Sequence, residues 1–415
     1  MYRLHTTCRA CNYAFHGSGG NRSRDEKLIE VFDLGTQPLA NDFRKDGEPR
    51  AGHVPLKVLL CPKCSLGQLS VVVDPAVLYA NYSYVTSPSA TMQKHFNRLI
   101  LDIAAETGGK TVLEIGSNDG RLLRVLQSEG YSVLGVDPAE NLANLACTND
   151  VPTQIGFFGE ALSRDLPQFD IVIARHVFCH VDDWHDFVRG LEAVSHKDTL
   201  ICIEVPYAVD MLKNCEFDTV YHEHTSYLTL KSVMALLKPT TLQLHRVIRY
   251  PIHGGAILLM LRRKDSDRQP SSQTFLNEEN ITVEDWKAFA VEARAQIDRL
   301  RVNVTALVAQ GKRVAGLGAS AKSTVWINAC GFSRKEIAFI SDTTPQKQYT
   351  FSPGSNIPIC DEGAILRELP DYLICFCWNF WGPEMREKFK LYFEKGGQFI
   401  LPVPSIRVVS KDAET

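Results

Sequence analysis

Residues 111–120, TVLEIGSNDG, and 132–141, SVLGVDPAEN, constrain this chain more than any other segment. An apolar run (Val112, Leu113, Ile115) ends in a turn of small or flexible residues, Gly116, Ser117, Asn118 and Gly120. The next stretch, RLLRVLQSEG, places Leu122, Leu123, Val125 and Leu126 at helical spacing. A second apolar run, Val133 to Val136, closes on Asp137, 21 positions beyond Gly116. Strand, glycine turn, helix, strand and terminal acid make one βαβ half-unit. Such a turn lets the backbone approach a ligand closely, and the acid can accept hydrogen bonds from two ribose hydroxyls.

The pattern is not GxGxxG, and no lysine follows it to hold a phosphate. A dinucleotide or ATP therefore suits it less well than a nucleoside without phosphates, such as S-adenosylmethionine. Glu114, Gly116, Ser117, Asn118, Asp119 and Asp137 are the candidate cofactor-binding residues. The fragment resembles motif I and the following ribose acid of Rossmann-like methyltransferases.

At 415 residues the chain can bury two or three cores. Candidate strands at 111–115, 132–136, 169–174, 199–205 and 255–262 alternate with helical segments, which predicts an α/β fold with a parallel, doubly wound sheet. The polar stretch RRKDSDRQPSSQTFLNEEN reads as a linker, and 282–310 as one long helix with Trp286, Phe289, Ala290, Ala293, Ile297 and Leu300 on a shared face. A second strand–turn–helix unit starts at KRVAGLGASAKSTVWIN, with further strands at IAFISD, DYLICFC and GQFILPV. The expected domains are 1–78, a small zinc-binding module; 79–265, a Rossmann-like methyltransferase domain; and 266–415, a second α/β domain. Lys+Arg 45 against Asp+Glu 48 gives a net charge of -3, so neither a nucleic-acid nor a charged-membrane partner is expected. No window approaches the roughly 18 apolar residues of a membrane span, the first residues lack the apolar core of a secretory signal, and 12 cysteines are too sparse for a disulfide scaffold. The expected compartment is the cytoplasm.

Cys8-x2-Cys11 and Cys61-x2-Cys64 lie 49 residues apart. Two such knuckles can present four thiolates at the corners of a tetrahedron, which suits a structural Zn²⁺ with no open position. A third constellation is FDTVYHEHTSY, 217–227. If its backbone turns helically, Tyr221 and His224 share a face; if it is extended, Tyr221 pairs with Glu223 and His222 with His224. Either way a base and a phenolic donor converge, although a plain polar surface turn has the same composition. ARHVFCHVDD, after the strand 169–174, adds His176 and His180 at the strand's carboxyl end, where open α/β sheets bind ligands. Asp182 and Asp183 read as caps of the helix beginning near Trp184.

Taken together, CRAC, CPKC, DLGTQPLAND, YSYVTSPSATMQKHF, LEIGSNDG, GVDPAEN, YHEHTSYL, HGGAILLML, GLGASAK, PGSNIPI and CWNFW resemble the sugar C-methyltransferases that act on nucleotide-linked keto-deoxysugars. The resemblance spans nearly the whole chain. It implies an amino-terminal zinc module, a central S-adenosylmethionine domain and a carboxyl-terminal α/β domain that helps hold a nucleotide-linked 4-keto-6-deoxysugar. It makes His224 the general base, with Tyr221, Glu223 and His180 beside it. Tyr82 and Tyr84 become candidate lid residues on the substrate, and His176 stands where the family commonly has Asn. Ser320 and Lys322 of GLGASAK become candidate phosphate contacts.

Carbon methylation needs a carbon nucleophile. A ketone at C4 acidifies the C3 proton, so the expected reaction is enolate formation by a histidine base followed by methyl capture. An NAD-dependent oxidoreductase using the 316–322 turn, a sugar O-methyltransferase and a non-catalytic zinc-binding scaffold are the competing readings.

Overall fold

The computed structural model describes residues 1–12, 28–50, 52–79, 90–252, 254–268, 270 and 279–413. Tyr82 and Tyr84 lie outside the described residues. The chain forms two compact units, each assembled from separated segments. The first contains Met1–Ile29, Leu59–Val209 and Thr225–Thr282; the second contains Glu30–Val58, Asp210–His224 and Val283–Thr415.

The first unit is built on a seven-stranded sheet. Its strands are β1 (Thr111–Ile115), β2 (Ser132–Asp137), β3 (Thr153–Ile155), β4 (Phe169–Arg175), β5 (Ser195–Pro206), β6 (Leu242–Tyr250) and β7 (Ala256–Arg263), in spatial order β6-β7-β5-β4-β1-β2-β3. The strands β3-β2-β1-β4-β5 run parallel, while β7 is antiparallel to both β5 and β6. The expected parallel sheet is thus mixed at one edge, where β6 and β7 return as a hairpin-like pair. Strand order reverses between β1 and β4, which places the carboxyl ends of those two strands at a topological switch point.

The helices include α1 (Ala90–Ala104), α2 (Arg121–Ser128), α3 (Glu140–Thr148), α4 (Trp184–Ala193) and α5 (Leu230–Leu237). Successive residues of a strand point to opposite faces, and the core divides accordingly. Leu113, Ile115, Val172, Ala174, Ile201 and Ile203 join one buried cluster, and Val112, Ile171, Ile173, Leu200 and Cys202 join another. Asp183 caps α4 by accepting from the Asp186 amide. Asp182 does not share that role. It receives the Arg9 guanidinium at 3.1 Å, with Arg3 and His5 also beside it.

The second unit opens its α/β portion with α6 (Val283–Ala309), whose buried stripe is Trp286, Phe289, Ala293, Gln296, Ile297, Leu300 and Val304. Ala290 is only half-buried, and Gln296 takes a core position because its amide donates to the Pro404 carbonyl at 2.7 Å. Then follow β8 (Val314–Leu317), α7 (Ala321–Cys330), β9 (Ile340–Ser341), β10 (Ile359–Cys360), β11 (Tyr372–Cys375), β12 (Gln398–Leu401) and β13 (Arg407–Val409). Their order is β10-β9-β8-β11-β12-β13, parallel except for β13. Among the described residues no helix is long and apolar enough to cross a membrane.

Candidate active site

At the carboxyl end of β1 the backbone turns through three left-handed residues, Gly116 (φ 68°), Asn118 (φ 53°) and Gly120 (φ 72°). A Cβ added to Gly116 would stand 2.2 Å from Val177 Cγ2, so only glycine fits there. Asp137 ties the turn to β2. Its Oδ2 accepts the Asn118 amide and its Oδ1 the Ala139 amide, each at 2.8 Å. Burial pushes its carboxyl above the usual range, and these two amides pull it back. Glu114 is fully buried; burial pushes its carboxyl up to about 7, while Arg175, reaching Oε1 at 3.0–3.1 Å, opposes the shift.

The same sheet edge holds His176 and His180. His176 follows β4 with a left-handed φ of 53°, a conformation costing a side-chain-bearing residue about 1–2 kcal/mol. Its Nε2 lies 2.8 Å from Glu204 Oε1, and its amide donates to the Glu204 carbonyl at 2.7 Å. Glu204 Oε2 is bonded to His95 Nε2 at 2.7 Å. Burial alone would push the Glu204 carboxyl up, but the two imidazoles hold it well below the usual carboxylate range. His180 stacks on Tyr79 with ring centroids 6.2 Å apart; burial, with His176 nearby, lowers its pKa to about 3. Thr225 donates to the Cys179 and Val181 carbonyls and so fixes this loop.

In the second unit, 221–224 forms a turn, with the His224 amide donating to the Tyr221 carbonyl at 3.0 Å. The helical alternative is thus the nearer one: Tyr221 Oη lies 2.7 Å from His224 Nε2, and the rings are 4.0 Å apart. His224 Nδ1 lies 2.8 Å from the Thr219 carbonyl, which can only accept. Nδ1 therefore carries the hydrogen, and Nε2 keeps its lone pair toward the tyrosine. The segment is buried rather than a surface turn: His222 and Glu223 are each 1 % exposed. His222 is anchored to the Val54 and Pro55 carbonyls. Burial pushes the Glu223 carboxyl up to about 7, opposed by the Asn41 amide donated at 3.0 Å and by the Lys347 charge.

The GLGASAK turn shares the strand-terminal acid of the first, with one left-handed residue where the first has three. Gly318 is left-handed (φ 91°), and Asp342 at the end of β9 accepts the Ala319 and Thr344 amides. Ser320 spends its hydroxyl on a capping box with Ser323 at the start of α7. Lys322 Nζ lies 3.6 Å from Asp218 and 3.9 Å from Glu216, over the Trp378 ring. Both residues singled out for phosphate thus have partners within the protein.

Cys8, Cys11, Cys61 and Cys64 bring their sulfurs within 4.8 Å of one another, with Cys8–Cys64 at 3.4 Å and Cys11–Cys61 at 3.7 Å. Tetrahedral thiolates about 2.3 Å from zinc stand about 3.8 Å apart, so the set matches. Asn12 and Ser65, each just past a knuckle, adopt left-handed φ, and both knuckles close with a backbone hydrogen bond to their first cysteine.

Three family models match: "Putative zinc binding domain" over residues 22–79, "Methyltransferase domain" over 90–247 and "C-methyltransferase C-terminal domain" over 251–404. The C-methyltransferase NovU of Streptomyces niveus is 35 % identical over 422 residues, covering 98 % of this chain and 97 % of that protein. The chain belongs to the C-methyltransferase family. Among solved structures, the PH0226 protein of Pyrococcus horikoshii OT3 is 12 % identical with a TM-score of 0.36, covering 46 % of this chain and 98 % of its own. The magnesium protoporphyrin IX methyltransferase of Synechocystis PCC 6803 with bound SAH is 15 % identical with a TM-score of 0.34, covering 42 % and 84 %.

This C-methyltransferase uses S-adenosylmethionine, and its first turn fits that group. Glu114 Oε2, Ser117 Oγ and Asp119 Oδ1 are buried polar atoms that lack a hydrogen-bond partner among the described residues, all on or beside the glycine cradle. Asp137 gives one backbone amide to each oxygen, which leaves further lone pairs for ribose hydroxyls. The four-cysteine set fits structural zinc equally well. Sequence reasoning missed His95, Glu204 and the ion pair that joins Arg175 to the candidate Glu114. His95 lies within a quoted block, but its link to Glu204 spans 109 residues and has no local signal.

Proposed function

We propose that this C-methyltransferase adds a methyl group to C3 of a nucleotide-linked 4-keto-6-deoxyhexose, with His224 as the base that opens the reaction. The observation that carries this reading is the Tyr221–His224 pair. The Thr219 carbonyl fixes the imidazole tautomer so that Nε2 is the basic nitrogen, and the tyrosine hydroxyl sits on it at 2.7 Å. A carbon-directed methyltransferase must create a carbon nucleophile, and a ketone beside C3 supplies the acidity. The nucleotide and the deoxysugar come from the likeness to sugar C-methyltransferases in the blocks quoted above. Twelve free cysteines suit the cytoplasm.

The C3–H bond breaks as its proton passes to His224 Nε2, and the electron pair moves into the enolate. The Tyr221 hydroxyl, displaced from Nε2, turns its hydrogen to the enolate oxygen, a contact worth about 3–4 kcal/mol in comparable sites. Glu223, clamped by Asn41 and Lys347, keeps the turn in place. Glu114, Ser117, Asp119 and Asp137 hold and orient the donor at the glycine turn. When bound, S-adenosylmethionine supplies the electrophilic methyl group that the carbon captures. His180 remains the second imidazole assigned by resemblance; its low basicity suits hydrogen bonding rather than proton removal.

His224→Ala should bind S-adenosylhomocysteine normally and lose C3 deuterium exchange, measured without donor, by at least about 10²-fold. Near-parental exchange in a folded variant would remove His224 from the base role.

A further inference from the structure

Apart from the four-cysteine set, a further pair of thiols stands at the carboxyl edge of the second unit's sheet. Chain order there reverses between β8 and β11, the point at which an open parallel sheet leaves a crevice for ligands. β11 ends on Cys375. Two positions on, Cys377 bends the chain (φ −92°, ψ 39°) into a short helical turn, Trp378–Phe380. Alternate residues of a strand share a face, and Cys375 Sγ and Cys377 Sγ accordingly lie 3.8 Å apart. Cys375 is wholly buried in the core of the unit, and Cys377 is half-buried against it.

Cys377 is also a wall of the second glycine turn. A Cβ added to Gly318 would stand 3.1 Å from the Cys377 Cβ and 3.2 Å from its Sγ. The next residue, Trp378, donates its indole N–H to Asp218 at 2.7 Å and holds the Lys322 ammonium over its ring at 4.2 Å. Movement at Cys377 therefore reaches both the turn and the Lys322 cluster. The mechanism above uses neither thiol.

We infer that Cys375 and Cys377 form a reversible disulfide when the protein meets hydrogen peroxide, and that this bridge weakens nucleotide-sugar binding, the second clause resting on the C-methyl transfer reading. The half-buried Cys377 sulfur attacks one peroxide oxygen, the O–O bond breaks, and Cys377 becomes a sulfenic acid as the other oxygen leaves in water. The Cys375 sulfur then attacks the Cys377 sulfur, the S–O bond breaks, and the departing hydroxide takes the Cys375 proton to give a second water. Two thiols lose two electrons in all, and the peroxide gains them. The order follows from the surroundings. Contact with Cys377, and then burial, push the Cys375 thiol well above its ordinary value, which leaves Cys377 to meet the oxidant. Closing from 3.8 Å to a bond of about 2.0 Å brings the sulfurs together by about 1.8 Å and shifts Cys377 where it abuts Gly318. A bridge that closes so short a loop gains little from chain entropy, so a thiol reductant reopens it.

The test treats the zinc-loaded parent protein with hydrogen peroxide, alkylates it and maps its peptides by mass spectrometry. The expected product is a bridged 375–377 peptide that dithiothreitol returns to two thiols. Peroxide should also raise the KM for C3 deuterium exchange of the probe dTDP-4-keto-6-deoxyglucose, measured without donor, at least about tenfold, with S-adenosylhomocysteine affinity kept within about twofold. Cys377→Ser, compared with its own untreated state, should show neither bridge nor KM shift; Cys375→Ala replaces it if that variant does not fold. Both cysteines alkylated in the treated parent would overturn the inference, as would a mapped bridge with an unchanged KM. A shift that persists in folded Cys377→Ser overturns it too, because the oxidation that matters then lies at other cysteines. Absence of exchange in the untreated parent would instead defeat the reaction assigned above and leave the mapped bridge standing.

Discussion

Replacing Lys322 by methionine separates two roles for the second glycine turn. Asp218 is fully buried and accepts the indole N–H groups of Trp326 at 3.0 Å and Trp378 at 2.7 Å. Lys322 Nζ, on a side chain 16 % exposed, stands 3.6 Å from Asp218 Oδ1 and 3.9 Å from Glu216. At an effective dielectric of about 20, each contact carries about 4–5 kcal/mol of attraction before desolvation. Removing one partner of such a buried set costs about 3–5 kcal/mol, because a charge is left without its counter-ion. Lys322→Met should therefore lose about 3 kcal/mol of stability, equivalent to about 6–12 °C in the melting temperature of a unit this size. The loss should depend on pH. Burial pushes Glu216 up to about 7 from its ordinary 4.5, with Lys322 opposing that rise. A carboxyl raised on folding stabilises the fold below its unfolded value and loses that contribution as pH climbs through the folded one. Without Lys322 the folded value climbs further, so the deficit should be largest above pH 7 and shrink toward pH 5. Denaturant titrations across that range provide the measurement. Adding Asp218→Asn to Lys322→Met should recover part of the loss. A Lys322→Met protein within about 0.5 kcal/mol of the parent, but with weakened nucleotide-sugar affinity, would refute the counter-ion role and make this lysine a phosphate ligand.

Three further outcomes follow from the geometry. Cys61→Ser should reduce bound zinc from one equivalent to well under half by elemental analysis and destabilise the first unit, since Cys8, Cys61 and Cys64 belong to that unit's core cluster and Cys11 packs against it. Gly116→Ala should weaken S-adenosylhomocysteine binding at least about tenfold by calorimetry, from left-handed strain and a 2.2 Å approach to Val177; adding Val177→Ala should restore part of it. Asp182→Ala should leave Arg9 buried without its carboxylate and cost about 3 kcal/mol in the same unit, whereas loss of a helix cap alone would cost about 1 kcal/mol.

Much of the fold was legible because its signals are local. The run Val112 to Ile115 and the helix Arg121–Ser128 follow from apolar spacing, and Asp137 sits where a strand-terminal acid belongs. The strand Leu242–Tyr250 was not read, although LQLHRVIRY has strand-like composition, because a βα alternation predicts another crossover rather than an antiparallel return. Side chains whose partners are distant in sequence escaped for a related reason. Asp182 looked like a cap because capping is decided within three residues, yet Arg9 reaches it from 173 positions away. His222 looked equivalent to His224 in a string of polar letters. The turn sends one ring to the Val54 carbonyl and the other to Tyr221, and the string alone does not say which.

The two glycine turns show how one shared device, an acid at the end of a strand, serves different ends. In each, an acid at the end of the second strand accepts an amide from the turn and another from two residues further on: Asn118 and Ala139 for Asp137, Ala319 and Thr344 for Asp342. What differs is how the remaining polar groups are satisfied. The helix after the first turn starts at Gly120 with no side-chain cap, and Glu114, Ser117 and Asp119 keep buried atoms without hydrogen bonds among the described residues. The helix after the second is closed by the Ser320–Ser323 box, and the buried Lys347 ammonium donates to the Ala319 carbonyl at 2.8 Å. A buried donor or acceptor without a partner is costly, and a ligand that supplies one gains that energy on binding. The first turn therefore has affinity to offer a nucleoside. At the second, Ser320 and the Ala319 carbonyl are satisfied within the protein, and the group left is the Lys322 ammonium, which has ion-pair neighbours at 3.6 and 3.9 Å but no hydrogen bond among the described residues.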